Sequence, residues 1–217
     1  MDLAGQGGRF LLEYLPVFPA PALPIAVEHG GTVDKFIGDA IVAFFGDPVS
    51  NGPEEDARAA VAMALAMQAR LVELRRDWRN KGLDDTFELR VGITTGYCTV
   101  GNFGSEDRMD YTIVGGAVNL ASRLESAADA DGILISSDTF SLVKDEVVCK
   151  PEREITVKGI AYPVKTYSVV DLIETLQKEK EHIEARLKGF NHVLHCSASS
   201  LSNTCKPCKA ALVKGKS

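Results

Sequence analysis

Hydrophobic residues follow two different spacings along the chain, and each spacing predicts a type of element. Between residues 51 and 82 they recur every three or four positions, which predicts one long amphipathic helix. Pro53 and the acidic residues after it suit the first turn of a helix, and Gly82 suits its end. The stripe predicted to face the core consists of Ala60, Ala64, Met67, Leu71, Leu74 and Trp78.

Short apolar runs between turn residues predict β-strands on either side of that helix. Phe36-Ile37 and residues 40–45 flank Gly38-Asp39, which predicts a β-hairpin with Gly38-Asp39 at its tip. Residues 87–94 and 97–103 bracket Thr95-Gly96 and predict a second hairpin.

Beyond residue 110 the pattern changes from strand to helix and back. A β-rich run at 110–114 ends at Gly115-Gly116, and a helix follows on which Asn119 and Arg123 share one face. Residues 133–171 predict short strands with one short helix between them, and residues 172–188 predict a charged helix. From Asn191 the chain is rich in Ser, Lys and Cys, which predicts disorder.

The first 24 residues fit no regular element. Residues 11–15 begin like a helix, but Pro16, Pro19, Pro21 and Pro24 exclude a helix from this stretch. We therefore divide the chain into an aberrant Pro-rich segment at 1–24, a domain at 25–171, and a charged helix with a disordered tail at 172–217.

Composition limits the classes of function. A net charge of −6 argues against nucleic-acid binding, which needs a basic face. No apolar run reaches the length of a membrane span and no signal peptide opens the chain, so we expect a cytoplasmic protein.

The positions of the five cysteines, three of them within the last 22 residues, do not predict a disulfide framework. Cys98 and Cys149 fall in apolar segments and are expected to be small buried residues. The tail contains one Cys-x-x-Cys, which without a second pair is weak support for zinc. The residues concerned are His192, His195, Cys196, Cys205 and Cys208.

Candidate chemistry collects at the Gly38-Asp39 turn. A carboxylate at a hairpin tip suits a hard divalent cation bound through oxygen, and Lys35 presents a cation on the incoming strand. The alternative is a surface hairpin whose polar turn only keeps it soluble.

Several motifs, in this order, resemble the class III nucleotidyl cyclases, the adenylate and guanylate cyclase catalytic domain. They are Lys-x-x-Gly-Asp at 35–39, Arg-Val-Gly-Ile at 90–93, Val-Asn-x-Ala-x-Arg at 118–123 and Val-Lys-Gly at 157–159. The resemblance covers residues 25–171. It implies a ferredoxin-like α+β domain that works as a head-to-tail homodimer, with nucleotide sites at the interface.

The resemblance also implies how metal and base are bound. Asp39 is expected to bind two Mg²⁺ or Mn²⁺ ions, and Lys35 and Thr112 are expected to contact the purine of ATP. A Thr rather than an Asp at position 112 resembles the bicarbonate-responsive subgroup of bacterial adenylate cyclases.

The implied reaction converts ATP to cyclic AMP and pyrophosphate by in-line attack of the ribose 3′-hydroxyl, assisted by two metal ions. Asn119 is expected to position the ribose and Arg123 to stabilise charge on the reacting phosphate. Arg90 and Lys158 are expected to contact the phosphates. Intracellular signalling and upstream sensor domains are implied as context.

The chain departs from the family pattern at its start. Members have a strand ending in Asp-Ile-x-Gly-Phe, which supplies a second metal carboxylate. No such strand is predicted here, and the similarity of residues 1–5, with Asp2, is taken as chance, so we expect the domain to lack its first strand. Two hypotheses follow: an adenylate cyclase whose sequence is incomplete or scrambled at its start, or a catalytically inactive domain that dimerises or binds nucleotide to regulate a partner.

Overall fold

The computed structural model describes residues 7–16, 22–38, 40–82, 88–105, 108–157, 160 and 162–199. The chain divides into two compact units, Met1–Ile173 and Glu174–Ser217. The first unit has a mixed α+β fold, and the described part of the second is helical.

The first six elements form a β-α-β-β-α-β unit. In the sheet its strands lie in the order β2-β3-β1-β4, and β1 is antiparallel to both of its neighbours. This is the ferredoxin-like arrangement that the family resemblance implies. The elements are β1 (Gly7–Pro16), α1 (Ala22–Glu28), β2 (Thr32–Ile37), β3 (Ala40–Phe45), α2 (Pro53–Asn80) and β4 (Val91–Ser105).

The elements that follow extend this sheet. They are β5 (Arg108–Val114), α3 (Gly116–Ala127), β6 (Ile133–Ser136), α4 (Ser137–Val143), β7 (Val147–Ile155) and β8 (Val164–Leu172). β6 pairs parallel with β4, and the sheet then continues through β8 to β7. β5 pairs antiparallel with the distal half of β4.

Helices cover both faces of the sheet, as the alternation along β3 demonstrates. Ile41, Ala43 and Phe45 belong to a buried cluster that includes α2, whereas Val42 and Phe44 belong to a cluster that includes α3. Successive residues of a strand point to opposite faces, so the two helices lie on opposite sides of β3. A strand covered on both faces reads as a continuous apolar run, which explains the sequence of β3.

The long helix and the first hairpin confirm two sequence predictions. In α2, Ala60, Ala64, Met67 and Leu71 are buried, and Leu74 and Trp78 pack against the same cluster. β2 and β3 pair antiparallel around Gly38, whose φ of 62° is a conformation that glycine adopts without strain.

The prediction that the domain lacks its first strand is wrong, because β1 occupies that position in the sheet. β1 lies between β3 and β4, with Leu12 opposite Phe44 on one side and Thr94 on the other. A central strand has a short continuous apolar run, and the spacing of such a run does not distinguish a strand from a helix. Pro16, which would disrupt a helix, stands at the last position of the strand.

The prediction of a hairpin at Thr95-Gly96 is wrong. β4 runs without a turn from Val91 to Ser105, and its hairpin partner β5 begins at Arg108. Gly96 is needed for packing rather than for a turn, because a Cβ there would lie 2.9 Å from the Cβ of Ala117 on α3. An isolated glycine in a strand marks a close approach of this kind as well as a turn.

The charged segment after the domain forms helix α5 (Ile173–Ser199), which continues beyond the 172–188 expected for it. The remainder of the tail, including Cys205 and Cys208, lies outside the described residues. Cys98 is buried and Cys149 is half-buried, in line with their expected role as packing residues. Within the described ranges, every helix is too short or too polar to span a lipid bilayer.

Candidate active site

The fold brings Lys35 of β2 and Thr112 of β5 into direct contact, although these two strands are not paired with each other. Lys35 Nζ donates a hydrogen bond to Thr112 Oγ1 at 2.6 Å, although the two residues are 77 positions apart in the chain. The Lys35 side chain is 41% exposed, so its ammonium group remains accessible from one side. Together they offer a donor and an acceptor to a flat heterocyclic ring.

Asp34, which precedes Lys35, was not singled out by the sequence pattern. Its side chain is fully buried, and its Oδ2 lies 3.2 Å from Lys35 Nζ. Among the described residues, neither carboxylate oxygen has a hydrogen-bond partner, so the contact with Lys35 is an ion pair without hydrogen-bond alignment. The one available signal was a carboxylate between Val33 and Lys35 in a strand whose sequence continues with Phe36 and Ile37.

Asn119 and Arg123 line one cavity on the exposed face of α3. They stand on successive turns of the helix, and with Ser122 and Val157 they line an open cleft of about 370 Å³. Ser122 adds a hydroxyl that sequence reasoning missed. Lys158, which follows Val157, lies outside the described residues.

Two glycines determine how closely α3 approaches the sheet. A Cβ at Gly92 would lie 2.2 Å from the carbonyl oxygen of Ala121 and 2.3 Å from the amide nitrogen of Glu125. A Cβ at Gly115 would lie 2.6 Å from Sγ of Cys98, a thiol whose pKa is raised by burial. The position of the cavity-lining face of α3 therefore depends on Gly92 and Gly115, because any side chain at either position would push the helix away from the sheet.

Arg90 contacts α3 from the segment before β4. Its Nε lies 3.4 Å from Oε1 of Glu125, whose side chain is only 10% exposed, while Arg90 is 45% exposed. The ion pair compensates a largely buried carboxylate and holds the guanidinium beside α3. After Asp34 and Ser122, Glu125 is a third residue whose role the sequence pattern did not reveal.

Asp39 lies outside the described residues, but the strands on both sides of it are described. Ala40 pairs with Pro16 at the end of β1, and Leu15 precedes Pro16. Neither Leu15 nor Pro16 has a metal-binding side chain, and Glu13 is three residues earlier. Among the described residues, no three His, Cys, Asp or Glu side chains converge on one point. Within the described ranges, the end of β1 next to Ala40 therefore supplies no second carboxylate that could share a pair of cations with Asp39.

A further contact connects β5 to the end of β3. Tyr111 Oη donates a hydrogen bond to Asp47 Oδ1, and Thr32 Oγ1 donates one to the backbone oxygen of Asp47 at 2.8 Å. The bond to Asp47 raises the pKa of Tyr111. These bonds hold β5, which contains Thr112, close to β2.

A model of the adenylate and guanylate cyclase catalytic domain matches residues 26–171, more than half of the chain. The chain belongs to this cyclase family. The solved structure of the adenylyl cyclase CyaB from P. aeruginosa is 45% identical, with a TM-score of 0.70 over 75% of this chain and 94% of that one. The structure of the guanylyl cyclase Cya2 is 32% identical, with a TM-score of 0.70 over 77% of this chain and 94% of that one. Adenylate cyclase 1 of Rhizobium meliloti is 33% identical over 76% of this chain, which spans only 24% of that protein.

Cyclase domains of this family generally use divalent metal ions and act as dimers on nucleotide substrates. On the described surface of this chain, the hairpin formed by β4 and β5 has exposed apolar side chains on both faces. By the register of the two strands, Tyr97, Phe103 and Val114 lie on one face, and Met109 and Tyr111 lie on the other. Exposed apolar side chains on a shared face, such as Tyr97, Phe103 and Val114, are typical of an interaction surface.

Proposed function

We propose that this chain is an adenylyl cyclase domain that binds ATP between two copies of itself and converts it to cyclic AMP and pyrophosphate. The 3′-hydroxyl oxygen of the ribose bonds to the α-phosphorus, and the bond from that phosphorus to the β-bridging oxygen breaks. Pyrophosphate leaves, and the hydroxyl proton passes to solvent. The observation that carries this proposal is the hydrogen bond between Lys35 and Thr112.

The Lys35–Thr112 pair is complementary to adenine. An ammonium group can donate to N1 of adenine, while the second lone pair of the Thr112 hydroxyl can accept from the exocyclic amine. Guanine has a donor, N1–H, where adenine has an acceptor, so the ammonium would face another donor. Two unpaired donors disfavour guanine by about 1–3 kcal/mol, which is roughly tenfold to a hundredfold in selectivity. The higher identity to an adenylyl cyclase than to a guanylyl cyclase supports the same choice.

The cavity on α3 is proposed to receive the ribose and the phosphates. Asn119 offers amide donors and an acceptor to ribose hydroxyls, and Arg123 offers a guanidinium to the oxygens of the reacting phosphate. Charge on those oxygens grows as the reaction proceeds, so a fixed guanidinium acts mainly on the rate. Arg90 and Lys158 are proposed to contact the terminal phosphates.

Asp39 is proposed to hold the divalent cation, Mg²⁺ or Mn²⁺, that would polarise phosphate oxygens when bound. Because Leu15 and Pro16 supply no second carboxylate beside it, we expect turnover by this chain to be low.

A second copy of the chain is proposed to cover the face of the β4–β5 hairpin that contains Tyr97, Phe103 and Val114. Burial of Tyr97 and Val114, which are 74% and 51% exposed, would favour association. In a head-to-tail dimer, Asp39 and Arg90 of one copy would face Lys35, Thr112, Asn119, Arg123 and Lys158 of the other, giving two equivalent sites.

The end of β1 favours a second candidate function. A cyclase domain with one carboxylate beside the hairpin tip can bind nucleotide without turning it over, and would then regulate a partner through binding or dimerisation. The observation behind this candidate is Leu15-Pro16 at the position next to Ala40.

The two candidates are separated by incubating the purified chain with ATP and Mn²⁺ and measuring cyclic AMP by mass spectrometry. The Asp39→Ala variant is the matched control, and ATP binding is measured by calorimetry in parallel. Slow formation of cyclic AMP that disappears in Asp39→Ala is the result expected for an adenylyl cyclase.

ATP binding with no cyclic AMP above the Asp39→Ala background would select the non-catalytic candidate. Failure of the wild-type chain to bind ATP at millimolar concentration would contradict both.

A further inference from the structure

The Asp34 carboxylate is the most unusual charged group among the described residues. Its side chain has no solvent exposure, and no described donor forms a hydrogen bond to either oxygen. A buried carboxylate without hydrogen bonds is unfavourable unless a cation compensates it. The cation beside it is the ammonium group of Lys35, 3.2 Å away.

A β-bulge makes this contact possible. On β2, Val33 pairs with Ala43 and Lys35 pairs with the next residue, Val42, so Asp34 has no residue opposite it. In a regular strand, adjacent residues such as Asp34 and Lys35 point to opposite faces of the sheet. The bulge breaks that alternation and allows the two side chains to meet.

The bulge and the buried charge together fix the direction of the Lys35 ammonium group. Lysine has a flexible four-carbon stem with three rotatable donors, and on its own defines no direction. Here the group lies between Asp34 Oδ2 at 3.2 Å and Thr112 Oγ1 at 2.6 Å, while the side chain stays 41% exposed. The exposed side is the one available to a bound base.

We propose that Asp34 is a positioning residue that holds the Lys35 ammonium group against Thr112, and that purine discrimination depends on it. This inference rests on the proposed function, in which Lys35 contacts the base. Asp34 itself is not proposed to touch the substrate, because its side chain is fully buried.

The first experiment needs no nucleotide. Proton–nitrogen correlation spectra of the lysine ammonium groups are recorded for the full chain, and the Lys35 signal is assigned by its loss in Lys35→Met. An ammonium group held by fixed partners gives a slowly exchanging signal, so we expect Asp34→Asn to broaden it beyond detection.

The second experiment measures binding of ATP and of GTP to the wild-type chain, Asp34→Asn, Lys35→Met and the double variant. We expect Asp34→Asn to reduce the ATP-over-GTP ratio by about tenfold, the selectivity that one mismatched buried donor provides. Lys35→Met should reduce it at least as much, and the double variant should lose no more than Lys35→Met alone.

Asp56→Asn is the matched control. Asp56 is also a buried carboxylate, but it accepts hydrogen bonds from Ser50 Oγ at 2.6 Å and from the Asn51 amide at 3.2 Å, remote in sequence from Lys35. Its neutralisation should leave the nucleotide ratio within about twofold of wild type and leave the Lys35 signal in place.

A Lys35 ammonium signal that is unchanged in Asp34→Asn would overturn the positioning role, regardless of the measured ratio of ATP to GTP binding. Loss of the signal with the nucleotide ratio unchanged would overturn the role in discrimination. Failure of the wild-type chain to bind either nucleotide would overturn the proposed function and the discrimination together, while the spectra would still decide whether Asp34 holds Lys35.

Discussion

Replacing Gly92 with alanine should displace α3 and with it the cavity-lining face of Asn119 and Arg123. The added Cβ would lie 2.2 Å from the carbonyl oxygen of Ala121 and 2.3 Å from the amide nitrogen of Glu125. Carbon–oxygen contacts normally lie near 3.3 Å, so the helix must move by about 1 Å. Both clashing atoms belong to helix backbone, which cannot rotate away as a side chain can.

The expected effect has two parts. Overpacking of this kind destabilises a domain by about 1–3 kcal/mol, and the rigid backbone on both sides of the clash places Gly92→Ala at the upper end of that range. A shift of about 1 Å in the residues that position a substrate lowers turnover about a hundredfold. Urea denaturation followed by circular dichroism measures the first effect, and cyclic AMP formation measures the second.

Gly101→Ala on the same strand is the matched control. A Cβ at Gly101 would contact only Phe103 Cε2 at 3.9 Å, an ordinary van der Waals distance. This variant should be as stable as the wild type or slightly more stable, because alanine restricts the unfolded chain. Equal stability of Gly92→Ala and Gly101→Ala would refute the claim that α3 is positioned by direct contact with the backbone of β4.

Three further predictions concern Arg123, Asp131 and Cys149. Arg123→Ala should lower cyclic AMP formation about a hundredfold while changing ATP affinity little, since its contact strengthens in the transition state; an equal loss of affinity would make it a ground-state binder. The hydrogen bond to Arg75 lowers the pKa of Asp131. The stabilisation of the folded state by the Asp131 carboxylate is therefore complete at pH values above the ordinary pKa of 3.8, and it is lost as the pH falls through the lowered pKa of the folded state. Asp131→Asn should therefore reduce the unfolding free energy by about 1 kcal/mol at pH 7 for this partly exposed pair, and its difference from wild type should vanish in acid. Partial burial raises the pKa of Cys149 to about 11, so a thiol reagent at pH 8 should label it much more slowly in the folded chain than in urea. Equal labelling rates of Cys149 in the two states would contradict this prediction.

Features encoded by neighbouring residues could be predicted from the sequence. The turn at Gly38, helix α2 and the change from β5 to α3 all follow from local spacing and turn residues. The shared face of Asn119 and Arg123 likewise follows from their separation of four residues on a helix.

Features that depend on distant partners could not be predicted in this way. Residues 11–15 form a strand because β3 and β4 provide pairing edges on both sides, and no local pattern contains that information. Gly96 was taken for a turn residue because the approach of Ala117 is a tertiary contact. The bulge that buries Asp34 next to Lys35 arises from pairing with β3 and was equally invisible. Lys35 and Thr112 were associated through the family resemblance, since 77 residues separate them.

The preference for ATP over GTP is the most direct test of the central claim, that Lys35 and Thr112 form an adenine-recognising pair in a cyclase domain. Binding of both nucleotides is measured for the wild-type chain, Lys35→Glu and Thr112→Ala. The wild type should prefer ATP by roughly tenfold to a hundredfold, and Lys35→Glu should erode that preference because a carboxylate accepts from the N1–H of guanine. Full retention of the ATP preference in Lys35→Glu would contradict the claim and exclude Lys35 as the residue that reads the base.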